Sequence, residues 1–265
     1  MSTWPFAGPS VPSLRRWLSV AGRWQPQLST EGLILVAALF FTVACNGLFW
    51  RSAMAAHPGN LRLAVGLALI VPGVHVLLLG LLAWRWNAKP LIGALLVIAA
   101  LASHYMGRYH LYLDADMLRN VLATDRKESS ELLSAALLPP LLVLALVPGV
   151  LLWRVRLRRT GWRRALLRRG ALLVVALAAL ACGALLASQD LASLLRNQRG
   201  IRYLVTPANV LVGLPRALRS GSVAHQARLP IGEDAIAAPR AARARPRLLV
   251  NVVGETAPAA NWGVD

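Results

Sequence analysis

Five long apolar runs, separated by short polar stretches, occupy the chain from residue 32 to residue 188. They cover residues 32–50, 63–84, 90–106, 132–153 and 171–188, the third being the shortest. Each is close to the roughly 20 apolar residues that an α-helix needs to cross a bilayer core. Trp50, Trp84, Trp86 and Trp153 stand at the run ends, where an amphipathic ring prefers the headgroup level. Beyond residue 188 the pattern changes. Leu191, Leu194 and Leu195 within Asp190–Asn197 point to a short helix lying on the membrane surface, the alternative being a frayed extension of the fifth run. Residues 221–246, rich in Ala, Arg, Pro and Gly, read as a linker. Arg247–Val253 then reads as a strand buried on both faces and closed by Gly254. Ligands collect at the carboxyl ends of such strands, and Glu255 stands at this one.

Composition agrees with the pattern: 57% of the residues are apolar and the mean hydropathy is +0.54, too much apolar surface for one small soluble core. Charge sets the orientation, because Lys and Arg in short loops stay on the cytoplasmic side. Arg15, Arg16 and Arg23 precede the first run, Arg85 and Lys89 follow the second, and eight arginines from Arg154 to Arg169 follow the fourth. The sequence therefore predicts a cytoplasmic segment (1–31), a five-span domain (32–188), a periplasmic bridge and linker (189–246) and the start of a periplasmic domain (247–265) in a multi-pass inner-membrane protein. The first run, long enough to span, reads as an uncleaved anchor. A net charge of +18 would suit a nucleic-acid partner. The arginines are instead accounted for by topology and by contact with anionic membrane lipids, and no zinc-finger spacing or Gly-rich phosphate loop is present, so nucleic acid is excluded as a partner. Cys45 and Cys182 lie inside spans and read as small apolar residues.

Polar residues inside spans are expensive and are candidates for function. His75 follows Pro72-Gly73, which predicts a kink and an imidazole bonded to a freed carbonyl, whereas Asn46 and His104 are expected to reach the interface from span ends. The loop between the third and fourth runs is patterned. Asp116 is the expected N-cap of a helix on which Met117, Leu118, Val121 and Leu122 recur at helical spacing. Asn120, Thr124 and Glu128 fall four apart on another face. A solvated polar face accounts for that spacing, and so does a site offering an amide, a hydroxyl and a carboxylate to one point at the membrane surface.

The segment Asp114–Asp125 resembles the acidic-x-x-Met-Leu-x-Asn-x-Leu-x-Thr-Asp motif of the membrane-anchored phosphoethanolamine transferases that modify lipid A, the group that includes the colistin-resistance enzymes. Val252-Val253-Gly254-Glu255-Thr256-Ala257 and Ala259-Ala260-Asn261-Trp262-Gly263 resemble later motifs of the same family, and five spans before an external domain is its layout. Arg202–Pro207 resembles its substrate-side connection. The resemblance implies a zinc-dependent α/β/α catalytic domain of the alkaline-phosphatase and sulfatase type, of which this chain would hold the first strand. It implies Glu255 as a metal ligand, and a threonine nucleophile and further ligands in sequence that this chain does not have. It also implies Asn120, Thr124 and Glu128 as residues that hold the headgroup of phosphatidylethanolamine, the donor, with lipid A as acceptor. Pro258 departs from the family, which usually has Arg there.

On that resemblance the chain is expected to be the membrane domain of a transferase truncated early in its catalytic domain. It would bind no zinc alone, since a zinc site needs about three protein ligands even when catalytic, and would lack activity by itself. The alternative is a non-catalytic five-span membrane protein acting as a binding or regulatory partner.

Overall fold

The bilayer imposes helix on the apolar runs, because backbone N–H and C=O groups without water must pair within their own segment. The computed structural model describes residues 26–124 and 134–220, and the strand expected at Arg247–Val253 lies outside them. A bent pair comes first, Thr30–Cys45 (α1) and Gly47–Ala56 (α2), turned through 61°. Leu61–Leu82 (α3) and Ala88–Tyr109 (α4) follow. The short Ala115–Ala123 (α5) precedes the long Ala135–Arg154 (α6) and Trp162–Leu186 (α7). Ser188–Asn197 (α8) and Ala208–Ser220 (α9) complete the described chain. Helices α3, α4, α6 and α7 are each long and apolar enough to cross a bilayer, and the bent pair makes a fifth crossing if counted as one span. The protein is thus an all-α, multi-span membrane domain.

Three expectations change in detail. The first run is not one straight helix: α1 widens into a π turn at Phe41–Cys45 and the chain bends at Asn46. Helix α3 runs unbroken through Pro72. Helix α7 begins at Trp162, so Arg163, Arg164, Arg168 and Arg169 lie on it rather than in a loop.

The tightest contact is α3 against α7, where small residues let the backbones approach, the usual solution where no hydrophobic drive acts between helices in lipid. A Cβ on Gly183 would come within 2.6 Å of the Gly66 carbonyl oxygen, and one on Gly66 within 2.5 Å of the Ala187 Cβ. Side chains on the opposite faces, such as Val143 on α6 and Val174 on α7, point outward as a lipid-facing surface does.

Short connections make successive long helices antiparallel, which sorts the loops into two ends. At one end, Gln27–Leu28 pairs in parallel with Arg156–Leu157 in a two-residue ladder. Here Arg169, buried against the end of α3, donates to the carbonyls of Gly80 (2.6 Å) and Ala83 and stacks 4.1 Å from the Trp84 ring. These are carbonyls that a helix C-terminus leaves without intrahelical partners, and a cation is favoured there by the helix dipole. The opposite end carries α5, α8 and α9.

Candidate functional site

Helix α5 is short and amphipathic, and its start is fixed by Asp114 rather than by the expected Asp116. Asp114 is extended (φ −85°, ψ −176°) and its carboxylate accepts the Met117 N–H at 2.8 Å, the geometry that satisfies an orphan N–H of the first turn. Asp116 is the second residue of the helix and pairs with Arg119 at 2.9 Å. Leu118 is the buried anchor. It sits over Gly213 of α9, where a Cβ would stand 2.7 Å from Leu118 Cδ1. The preceding turn is held as closely, because Tyr112 covers Gly200 and a Cβ there would meet the ring at 2.5 Å.

Of the candidate headgroup residues, Asn120 is exposed on α5 and Thr124 is its C-cap. The Thr124 hydroxyl donates to the Asn120 carbonyl at 2.8 Å. The regular helix stops at Ala123, and Thr124 has already turned to φ −66°, ψ 132°. Glu128 and Glu255 lie outside the described residues.

Beneath this platform the bend after α1 is closed by side chains. The π turn and the break free the carbonyls of Phe41, Thr42 and Cys45, which in an apolar medium must find donors. Asn46 Nδ2 reaches Phe41 O (2.8 Å), Trp50 Nε1 reaches Thr42 O (2.9 Å) and Ser103 Oγ reaches Cys45 O (2.9 Å). Asn46 also grips the far segment: Nδ2 donates to Thr206 O at 2.7 Å while Oδ1 accepts from Thr206 N at 2.8 Å. His75 Nε2 donates to the same Thr206 oxygen at 3.0 Å, using its second lone pair. Thr42 Oγ1 donates to Ala38 O at 2.7 Å and stands 3.3 Å from His75 Nδ1.

Asn46 was expected at the interface and is instead almost wholly buried. His75 does meet carbonyls as expected, that of Thr206 from a distant segment and that of Val71 on its own helix. Three residues beyond Thr206, Asn209 ties the turn together, donating to Tyr203 O (2.7 Å) and accepting from Val210 N (2.8 Å). Thr206 fell within the Arg202–Pro207 segment already singled out, but its bonds to Asn46 and His75 were not foreseen, and Asn209 and the whole of α9 were missed from sequence. The usable signal was Val210, Leu211, Leu214, Ala217 and Leu218 at helical spacing, weakened by Pro215 within them.

Between α3, α8, α9 and the start of α5 lies a cavity of about 590 Å³. Its walls are mostly aliphatic, while Arg202, Tyr203, Asp114 and Arg216 stand among the lining groups. The described residues do not supply a zinc site: none of their His, Cys, Asp and Glu side chains form a group of three or more that could hold a metal ion.

A protein-family model described as Phosphoethanolamine transferase EptA/EptB matches residues 71–221, more than half of the chain and all of the platform from α5 to α9. Among curated proteins, the chain is 29% identical over 230 residues to Phosphatidylethanolamine transferase Mcr-2 of Escherichia coli, covering 85% of this chain and 43% of that protein. It is 30% identical over 237 residues to Phosphatidylethanolamine transferase Mcr-1 of the same species, covering 86% and 44%. Among solved structures, the lipooligosaccharide phosphoethanolamine transferase A (EptA) of Neisseria meningitidis, an integral membrane protein, superposes with a TM-score of 0.68 at 24% identity, over 76% of this chain and 38% of that one. The chain thus spans less than half the length of the curated relatives it matches.

Proposed function

Because this chain belongs to the EptA/EptB phosphoethanolamine transferase family, we propose that it is the membrane-embedded part of an enzyme that moves phosphoethanolamine from phosphatidylethanolamine to lipid A. Helix α5 and the segment after it form the donor platform. Glu128 faces the ammonium of the headgroup, a charge-assisted contact of the stronger kind, the Asn120 amide donates to its oxygens, and the Thr124 hydroxyl, whose proton goes to the Asn120 carbonyl, accepts from the ammonium. Transfer runs through a Thr-linked phosphoethanolamine on a catalytic domain, and Glu255 is the ligand this chain contributes to that domain's zinc. The arginine-rich end is cytoplasmic and the platform end periplasmic, in the bacterial inner membrane, consistent with the short-loop arginines.

The observation that supports this reading is the anchoring of α5. Its start is capped by Asp114, and its apolar face is set on Gly213 of α9 within the matched region, while Asn120 is left exposed. Such a helix can present polar groups from a fixed base, as a binding constellation requires.

A fusion in which residues 1–220 replace the membrane region of Mcr-2 tests it in cells that lack other transferases. The fusion is expected to place phosphoethanolamine on lipid A, and Asn120→Ala with Glu128→Gln to lower that transfer by tenfold or more at equal protein level. Unchanged transfer by the double variant would refute the platform. Orientation is read separately: a cysteine at Ser134 should react with a membrane-impermeant maleimide in intact spheroplasts and one at Arg159 should not, and the reverse would invert the topology.

A further inference from the structure

A second cavity, of about 390 Å³, lies at the arginine-rich end of the bundle, opposite to α5. It is a furrow between α1 and α6 with α4 as its floor. Ile92 and Leu96 at the bottom are buried, whereas Val36 on one lip and Val143, Val147 and Leu151 on the other are exposed, so it opens sideways to lipid. Every residue that lines it is apolar, which suits a hydrocarbon chain. From Val143 to Val155 it runs about 18 Å at 1.5 Å per residue, against about 15 Å for half of a bilayer core. The furrow is thus as deep as one leaflet.

Its mouth is cationic on two sides. Lys89, Ile92 and Leu96 share one face of α4, which puts Lys89 one turn outside the furrow floor. The ammonium crosses to α6, where it donates to the Trp153 carbonyl at 3.2 Å and stands 5.8 Å from the ring centre. That bond takes one of its three donors. Helix α4 starts at Ala88, so the positive end of its dipole is directed to the same place. On the other side the mouth is lined by Pro26, Leu28 and Val155, and the Arg156 N–H donates to the Pro26 carbonyl at 2.9 Å. Arg156 and Arg158 alternate with Val155 and Leu157, and both arginines are exposed while Val155 is buried. Glu31, the one carboxylate at this end among the described residues, has Arg169 of α7 as its charge partner. Two separate cations outside an apolar furrow complement a lipid with two phosphates, the kind of headgroup that basic pockets between spans hold.

We propose that the furrow seats one acyl chain of a phospholipid of the cardiolipin class, with its two phosphates met by Lys89 and by Arg156. This lipid is neither donor nor acceptor. It lies in the leaflet opposite the headgroup platform and joins the ends of α1, α4 and α6, and the site depends neither on the donor reading nor on which side of the membrane this end faces.

The test uses the full chain in lipid nanodiscs doped with cardiolipin, phosphatidylglycerol, phosphatidylethanolamine or lipid A carrying a diazirine in one acyl chain, with cross-linked peptides mapped by mass spectrometry. The cardiolipin probe is expected to label residues 92–96 and 143–152 at least about fivefold more than the other three. Lys89→Gln with Arg156→Gln should remove that excess, while labelling at the lipid-facing Val174 should be the same for parent and variant. Glutamine keeps a donor for the Trp153 carbonyl, and added cardiolipin should raise the melting temperature of the parent chain but not of the double variant.

Equal furrow labelling by cardiolipin and any other probe, or a cardiolipin excess that the double variant keeps, would overturn the proposal. The donor reading stands or falls apart from it, since Asn120→Ala with Glu128→Gln should leave furrow labelling unchanged.

Discussion

The two ends of the helical bundle satisfy their backbones by different chemistry. At the arginine-rich end a single cation, Arg169, closes the end of α3 through two carbonyls and the Trp84 face. Arg163, Arg164 and Arg168 on the same helix are exposed. At the other end the work falls to neutral groups: Asn46, Trp50, Ser103 and His75 serve the carbonyls of the α1–α2 bend and of Thr206. A charged cap suits the end that carries the other exposed arginines of α7. Neutral pairing, fully satisfied, fixes a distant segment at one position without bringing a charge into the hydrocarbon, where an ion without a partner is costly. The neutral network ties the turn at Thr206, and with it the start of α9, to the membrane core, and Gly213 of α9 in turn seats Leu118 of α5.

Asn46→Leu should break this comparison most severely. It removes the side-chain donor to the Phe41 carbonyl and the acceptor of the Thr206 N–H, and an orphaned buried group costs about 1–3 kcal/mol. A large drop in melting temperature in detergent is expected, with faster hydrogen exchange in residues 201–212. Next comes Arg169→Leu, which removes charge-assisted bonds worth about 1.5–3 kcal/mol. Its loss should appear as exchange at residues 80–87 and leave the platform protected. If both variants loosen the same segment, the two ends are not independent.

Gly213→Val sharpens the comparison further. The added side chain collides with Leu118, and overpacking typically costs about 1–3 kcal/mol. Helix α5 should shift while α3 and α7 stay in place, which spin-label distances from Asn120 to α3 would show. The smallest effect belongs to Thr124→Val. Its bond to the Asn120 carbonyl is exposed, so stability should change by no more than about 0.5 kcal/mol. Retention of phosphatidylethanolamine should nevertheless fall, which separates a ligand role from a structural one.

Hydropathy alone was enough to find the crossings, because a bilayer leaves no alternative to a long apolar helix. It was also enough to find α5, whose Met117, Leu118, Val121 and Leu122 keep a helical period. The cap was misassigned by two residues because Asp114 and Asp116 have the same chemistry, and only the extended backbone at Asp114 decides between them. Asn46 was misread for a different reason. Its partner Thr206 lies 160 residues away, and no local pattern announces a tertiary hydrogen bond. Helix α9 was passed over because Pro215 interrupts its apolar spacing and the stretch sits beside a long Ala/Arg/Pro-rich segment.

Selective retention of donor lipid is the most direct test of the platform. The purified chain would be equilibrated with equal amounts of phosphatidylethanolamine and phosphatidylglycerol, and the bound species counted by native mass spectrometry. Several-fold preference for phosphatidylethanolamine, lost in Asn120→Ala with Glu128→Gln and kept in Arg169→Leu, is the predicted result. Equal retention of the two lipids, or a preference that the platform variants leave untouched, would contradict the account.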